Sequence, residues 1–279
     1  MTSTIGQILP VAARRFGTQT ALIVDDRSFS FAELQTLSSR AANGLVAAGV
    51  RAGDRVALYG PNCWEWLVAY YGIAKTGAVL IPVNVMLTPD EVRFVVEDSG
   101  TRAVVASADK GEPLLDLPGV GNLQDVILWG DEVPAGATAF ADWLADSRPE
   151  FSPVERDGGD LAAICYTSGT TGRPKGAMQP HRAVVGAAVG TAVMAARGPG
   201  DRVINSLPLP HVYGSCVFNA AMMAGSTLIM VPRFDAETVL RAIGEHRATL
   251  MDGVPTAYYY LLAHPDFDRY DLSLSLIHI

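Results

Sequence analysis

Four short apolar runs constrain this chain most: RVALY (55–59), AVLIPV (78–83), AVVAS (103–107) and DVILW (125–129). Each has the length of a buried strand. Helix punctuation falls around them. Ser30, followed three residues later by Glu33, makes a capping box ahead of FAELQTLSSRAANGLVAAG, which Gly49 ends. Asn62 and Glu65 make a similar start for a helix through Lys75. Thr88, Pro89 and Glu91 open a third helix, with proline at its first position. Strands separated by helices predict a largely parallel sheet, because a parallel crossover needs a connection of helix length.

Between Gly130 and Asp160 the chain turns polar and reads as a linker. LAAICYT then restarts the strand pattern at Leu161. A bland apolar run from Ala183 to Ala196 reads as a buried helix. After it come a strand in VINSLPL, a helix in SCVFNAAMMAG closed by Gly225, and a strand in STLIMV. Asp235 caps the next helix. ATLMDG is a strand and PTAYYYLLAH a helix. The expected architecture is α/β in two lobes, about 1–150 and 160–273.

Composition narrows the classes. With 49% hydrophobic and 18% charged residues in 279, the chain can bury a sizeable core. A net charge of -8, with no block of Lys or Arg, argues against nucleic acid as a partner. Cys63, Cys165 and Cys216 are too scattered for a disulfide framework or a zinc site and read as small buried hydrophobes. No basic n-region precedes the first apolar residues, which argues against a secretory signal. The apolar run at 183–196 is too short for a transmembrane span. The default location is the cytoplasm; peripheral membrane contact and oligomeric state stay open.

The stretch YTSGTTGRPKGAM, from Tyr166 to Met178, carries the chemistry. Thr167, Ser168, Thr170 and Thr171 supply hydroxyl donors. Gly169, Gly172 and Gly176 let backbone N–H groups converge on an anion, and Lys175 adds a point charge. An acidic protein that binds an anion needs such a local device. It is not a Walker A loop, because Lys175 stands three residues beyond Gly172 rather than directly after it.

The ordered string YTSGTTGRPKG resembles the phosphate-binding signature of the adenylate-forming superfamily, in its acyl-CoA synthetase branch. Residues 53–84 resemble that family's N-terminal lobe, LPLPHVYG (207–214) its next motif, and MDGVPTAYYYLL (251–262) its acyl-pocket wall. The resemblance implies that Thr167, Ser168, Gly169, Thr170, Thr171, Gly172 and Lys175 hold the outer phosphates of ATP. It implies that His211 lies by the reacting carboxylate as the catalytic histidine, where an imidazole can donate a hydrogen bond as charge develops. Tyr213, Gly214, Gly253, Val254 and Pro255 would line the same wall, and Tyr258, Tyr259 and Tyr260 would be core or lining. The implied reaction turns a hydrophobic carboxylic acid, a fatty acid first, into an acyl-adenylate at the expense of MgATP, then a thioester with coenzyme A. No protein residue is assigned to Mg2+.

The family's later motifs and its C-terminal lid domain have no counterpart in the chain, so this chain by itself is expected not to complete the reaction. The ending LSLIHI (274–279) equals a translation of CTG TCT CTT ATA CAC ATC, a transposase adapter end, and reads as an artefactual tail. Two other readings stay in view. One is an amino-acid or aryl-acid adenylating enzyme, although Asp235 suits a helix cap better than an ammonium partner. The other is a non-catalytic nucleotide-binding fragment.

Overall fold

The computed structural model describes residues 3–115, 123–167 and 174–277. In chain order the helices are α1 (Ile8–Phe16), α2 (Phe31–Ala47), α3 (Trp64–Lys75), α4 (Pro89–Ser99), α5 (Ala108–Leu115) and α6 (Phe140–Asp146). They continue with α7 (His181–Met194), α8 (Val212–Ala224), α9 (Ala236–Glu245) and α10 (Pro255–Leu262). The strands begin with β1 (Thr20–Val24), β2 (Arg27–Ser30), β3 (Arg55–Tyr59), β4 (Val79–Val83), β5 (Ala103–Ser107), β6 (Asp125–Trp129) and β7 (Thr138–Ala139). The rest are β8 (Leu161–Thr167), β9 (Lys175–Pro180), β10 (Arg202–Asn205), β11 (Thr227–Met230), β12 (Leu250–Asp252) and β13 (Leu276–Ile277).

The chain forms two compact units. One holds residues up to Gln7, Gln35–Pro61 and Glu65–Val185; the other holds Ile8–Leu34, Asn62–Trp64 and Gly186 onward. In the first unit the sheet order is β7-β6-β5-β3-β4-β8-β9, parallel throughout except for the β8/β9 hairpin. Its inner strands β3, β4 and β5 are buried on both faces and so read as near-continuous Val, Ile, Leu and Ala. In the second unit the order is β13-β12-β10-β11-β1-β2, parallel except for β1/β2.

The helix starts follow the sequence signals. The Ser30 N–H donates to Glu33 Oε2 at 2.7 Å and the Glu33 N–H to Ser30 Oγ at 3.2 Å, closing the capping box of α2. The Ser30 N–H, and after it the Ser30 hydroxyl, donate to the Glu33 carboxyl and hold it below its usual range. Thr88 and Glu91 repeat the box on α4, with Pro89 inside its first turn. Asp235 caps α9 by accepting from the Thr238 N–H at 2.9 Å.

Three expectations need correction. The division at residue 150–160 differs from the observed units: β8 and β9 extend the first sheet, while β1 and β2 belong to the second. Leu22 pairs with Leu228, a contact across the sequence that local patterns do not encode. The supposed linker contains β7 and α6, where Phe140, Trp143 and Leu144 make a helical stripe; Phe140 and Leu144 are buried. The helix read at 183–196 begins instead at His181, and it is not buried all round. Val184, Val185 and Ala188 face inward, but Val193 and Met194 are 74% and 84% exposed. An apolar run with no polar face carries no signal for which side packs. Leu276 and Ile277, in the ending read as an artefactual tail, form β13 in parallel register with β12, which leaves that reading as it was.

Among the cysteines, Cys165 is buried, whereas Cys63 and Cys216 are only half-buried; all three are thiols. Burial pushes the Cys165 thiol up to about 11, so it is an inert core group.

Candidate functional site

Both candidate segments leave the C-terminal ends of parallel strands, where open α/β sheets bind ligands. In the first unit β8 runs parallel to β4, and the hydroxyl-rich stretch of the sequence follows its last residue, Thr167. β9 pairs antiparallel with β8, with Thr167 opposite Lys175. Lys175 and Gly176 are therefore strand residues paired with the end of β8. Thr167 and Lys175 are both exposed. Ser168, Gly169, Thr170, Thr171 and Gly172 lie outside the described residues.

The root of the hairpin is fixed by Tyr166. Its hydroxyl donates to Asp98 Oδ2 at 2.6 Å, and its ring meets Phe94 edge-on, both on α4. Burial and the Asp98 carboxylate together push the phenol well up, so Tyr166 stays protonated and keeps donating.

In the second unit β10 and β12 are adjacent, with Asn205 beside Asp252 at their C-terminal ends. Residues 206–211 leave from β10, and 253–255 leave from β12. The first segment is fastened by Asn62, which is 5% exposed. Asn62 Nδ2 donates to Leu207 O at 2.9 Å, and its Oδ1 accepts from the Leu209 N–H at 2.9 Å. The asparagine that sequence placed only at a helix start therefore also holds the LPLPH turn.

His211 is exposed and is the N-cap of α8. Its Nδ1 accepts from the Tyr213 N–H at 3.2 Å, so a neutral imidazole carries its proton on Nε2. The cap thereby sets the tautomer and leaves an N–H donor on the outer nitrogen. Gly214 is buried because the chain has no room for a side chain: a Cβ there would stand 2.2 Å from Pro208 O. Gly214→Ala is expected to cost about 1–3 kcal/mol by overpacking. A urea midpoint unchanged from wild type would show that the turn can yield.

Tyr213 donates from its hydroxyl to Asp252 Oδ1 at 3.4 Å. Asp252 Oδ2 in turn accepts from Arg197 Nη2, and Arg197 Nη1 donates to Val217 O at 3.2 Å. Burial, then the Asp252 charge and hydrogen bond, raise the Tyr213 phenol, so it remains a donor. The structure thus joins Tyr213 to the strand end that carries Gly253. Val254 is the N-cap residue of α10 and Pro255 its first helical position. Tyr258 is buried and donates to Met251 O at 2.9 Å, whereas Tyr259 and Tyr260 are exposed.

Sequence reasoning missed Arg197 and Asp252. The available signal was a carboxylate at the end of the apolar strand TLMD, since a buried Asp needs a partner. Among the described residues no cluster of three His, Cys, Asp or Glu could hold a metal ion, and no helix is long and apolar enough to cross a membrane.

In this mixed α/β chain the stretch YTSGTTGRPKG begins in β8 of one sheet, and His211, the N-cap of α8, follows β10 of the other. Residues 9–278 match the model of the AMP-binding enzyme family, and the chain belongs to that family. The long-chain-fatty-acid–CoA ligase FadD13 of Mycobacterium tuberculosis is 35% identical over 251 residues, covering 88% of this chain and 48% of that protein. Among solved structures, the anthranilate CoA ligase AuaEII in complex with anthranoyl-AMP superposes with a TM-score of 0.91 at 25% identity, over 99% of this chain and 55% of that one. The inhibitor-bound N-terminal domain of FACL13 from Mycobacterium tuberculosis gives 0.89 at 31% identity, over 99% and 70%. The chain spans about half the length of the curated relatives it matches and corresponds to part of the N-terminal domain of such proteins.

Proposed function

We propose that this chain is the ATP- and acid-binding part of an acyl-CoA ligase whose substrate is a hydrophobic carboxylic acid, a fatty acid first. The observation that carries the reading is YTSGTTGRPKG at the carboxyl end of a parallel strand, in a chain of the AMP-binding family. An aryl acid is the second reading, favoured by the likeness to the anthranilate ligase. Asp235 is engaged as a helix cap, which speaks against its use for the ammonium of an amino acid.

In the proposed reaction a carboxylate oxygen attacks the α-phosphorus of MgATP and pyrophosphate leaves. The thiol of coenzyme A then attacks the acyl carbon, and AMP leaves. No protein nucleophile is required, so catalysis consists of positioning and charge neutralisation. Thr167, Ser168, Gly169, Thr170, Thr171 and Gly172 present donors to the outer phosphates, and Lys175 supplies a charge from the hairpin base. His211 offers its Nε2–H to the carboxylate, beside Tyr213, Gly214, Gly253, Val254 and Pro255. The magnesium ion arrives with the nucleotide as part of the substrate.

Acid-dependent exchange of pyrophosphate into ATP by the full-length parent tests the reading. Exchange with fatty acids but not with aryl or amino acids supports the first form of it. Lys175→Ala is expected to remove a charge-assisted contact of about 1.5–3 kcal/mol, lowering kcat/KM for ATP roughly ten- to a hundredfold. Unchanged exchange in that variant would remove Lys175 from the phosphate site.

A further inference from the structure

The buried ion pair beneath α8 has no role in the reaction outlined above. The side chains of Arg197 and Asp252 are 1% and 9% exposed. Taking two charges out of water rarely repays itself in stability, and well-packed apolar residues usually serve as well or better. Asp252 is also the last residue of the otherwise apolar strand β12. Asn205, beside Asp252, is fully buried too, and its Oδ1 has no hydrogen-bond partner. Stability alone therefore does not account for this polar strand end.

Its geometry does. The two Asp252 oxygens are divided: one takes the guanidinium, the other takes the Tyr213 hydroxyl. The guanidinium reaches on to Val217 O, four residues after Tyr213 and so one turn along α8. α8 is thus held at two points, in its first turn at Tyr213 through Asp252 and one turn on at Val217 through the guanidinium, with the ion pair as the fork that joins them. The first turn begins at His211 and includes Gly214. The fork is anchored at the end of β12, from which Gly253 leaves.

We propose that Arg197 and Asp252 are positioning residues that fix Tyr213, and with it the first turn of α8, against the carboxylic acid substrate. The proposal rests on the ligase reading above. It adds two residues that touch neither nucleotide nor acid and act only through Tyr213 and the helix start.

The test uses the full-length parent and acid-dependent pyrophosphate exchange, with palmitate and anthranilate as probes. Tyr213→Phe keeps the ion pair and the ring but loses the link. Asp252→Glu keeps the charge but moves the carboxylate by one methylene. Each is expected to raise KM for the acid about tenfold while leaving KM for ATP unchanged. The double variant is expected to be no worse than either single one, because both cut the same connection. An unchanged acid KM in Tyr213→Phe, or multiplicative effects in the double variant, would overturn the positioning role. So would an equal fall in kcat with both acids and no change in either KM, which is the mark of lost folded protein. Tyr213→Phe decides alone if Asp252→Glu does not fold. Wild-type parent that shows no exchange with any acid would instead remove the ligase reading, and this inference with it.

Discussion

Asp252→Ala is expected to destabilise the second unit by about 3–5 kcal/mol. The reason is the partner left behind. The Arg197 side chain is 1% exposed, and a guanidinium cannot escape the cost of burial by giving up its proton. Its one remaining bond, to Val217 O, offsets little of that cost. The loss should far exceed that of Tyr213→Phe, which removes only a half-buried hydroxyl. The double variant Arg197→Met, Asp252→Leu separates the unpaired charge from other causes. Without either charge it should recover most of the stability, and with that recovery it should still bind acid poorly if the fork positions α8. Urea denaturation of the parent, followed by an aromatic signal, reads both. A fall below about 1 kcal/mol for Asp252→Ala would mean that the guanidinium finds water or another acceptor when the carboxylate is gone.

The sheets were legible where a local rule and the tertiary structure agreed. Capping boxes at Ser30 and Thr88, the aspartate cap of α9 and short apolar strands each specify an element from a few neighbouring residues. The partners of those elements are a different matter. β1 and β2 sit in the second sheet because Leu22, Ile23 and Val24 pair with Leu228, Ile229 and Met230. Nothing within TALIV says which strand it will join. The same limit hid the fork. Asp252 and Tyr213 are 39 residues apart, and Asp252 and Arg197 are 55 apart. The stretch YTSGTTGRPKG shows the converse. Its residue types point to anion binding in any context, but the strand that follows it, β9, carries no local signal. β9 is exposed along most of its length, so KGAMQP lacks the period-two alternation that marks a half-buried strand.

The second large effect concerns Lys75, at the end of α3 in the first unit. Lys75 is 0% exposed and has no acidic partner among its hydrogen bonds. Its Nζ donates to Ser38 Oγ at 2.7 Å, Gln35 Oε1 at 2.8 Å, Gln35 O at 3.1 Å and Ser39 Oγ at 3.1 Å, all on α2. Burial lowers its pKa from 10.5 to about 7. A base with a depressed folded pKa makes the unfolded chain the stronger proton binder between those values. Stability should therefore rise with pH from about 7 to 10.5. The slope approaches about 1.4 kcal/mol per pH unit, and the span sums to roughly 5 kcal/mol. Below pH 7 both states hold the proton and this group contributes no slope. Lys75→Met keeps the stem and removes the charge. It need not strand the acceptors, because Ser39 Oγ also donates to Gln35 O at 2.8 Å and Gln35 Nε2 to Ser39 Oγ at 3.3 Å. The variant should match or exceed wild type at pH 7 and lose the rise above it. Urea midpoints for both proteins at intervals from pH 6 to 10 measure the difference. Parallel curves would show that the four oxygens hold the ammonium charged in the folded state as firmly as water does in the unfolded one.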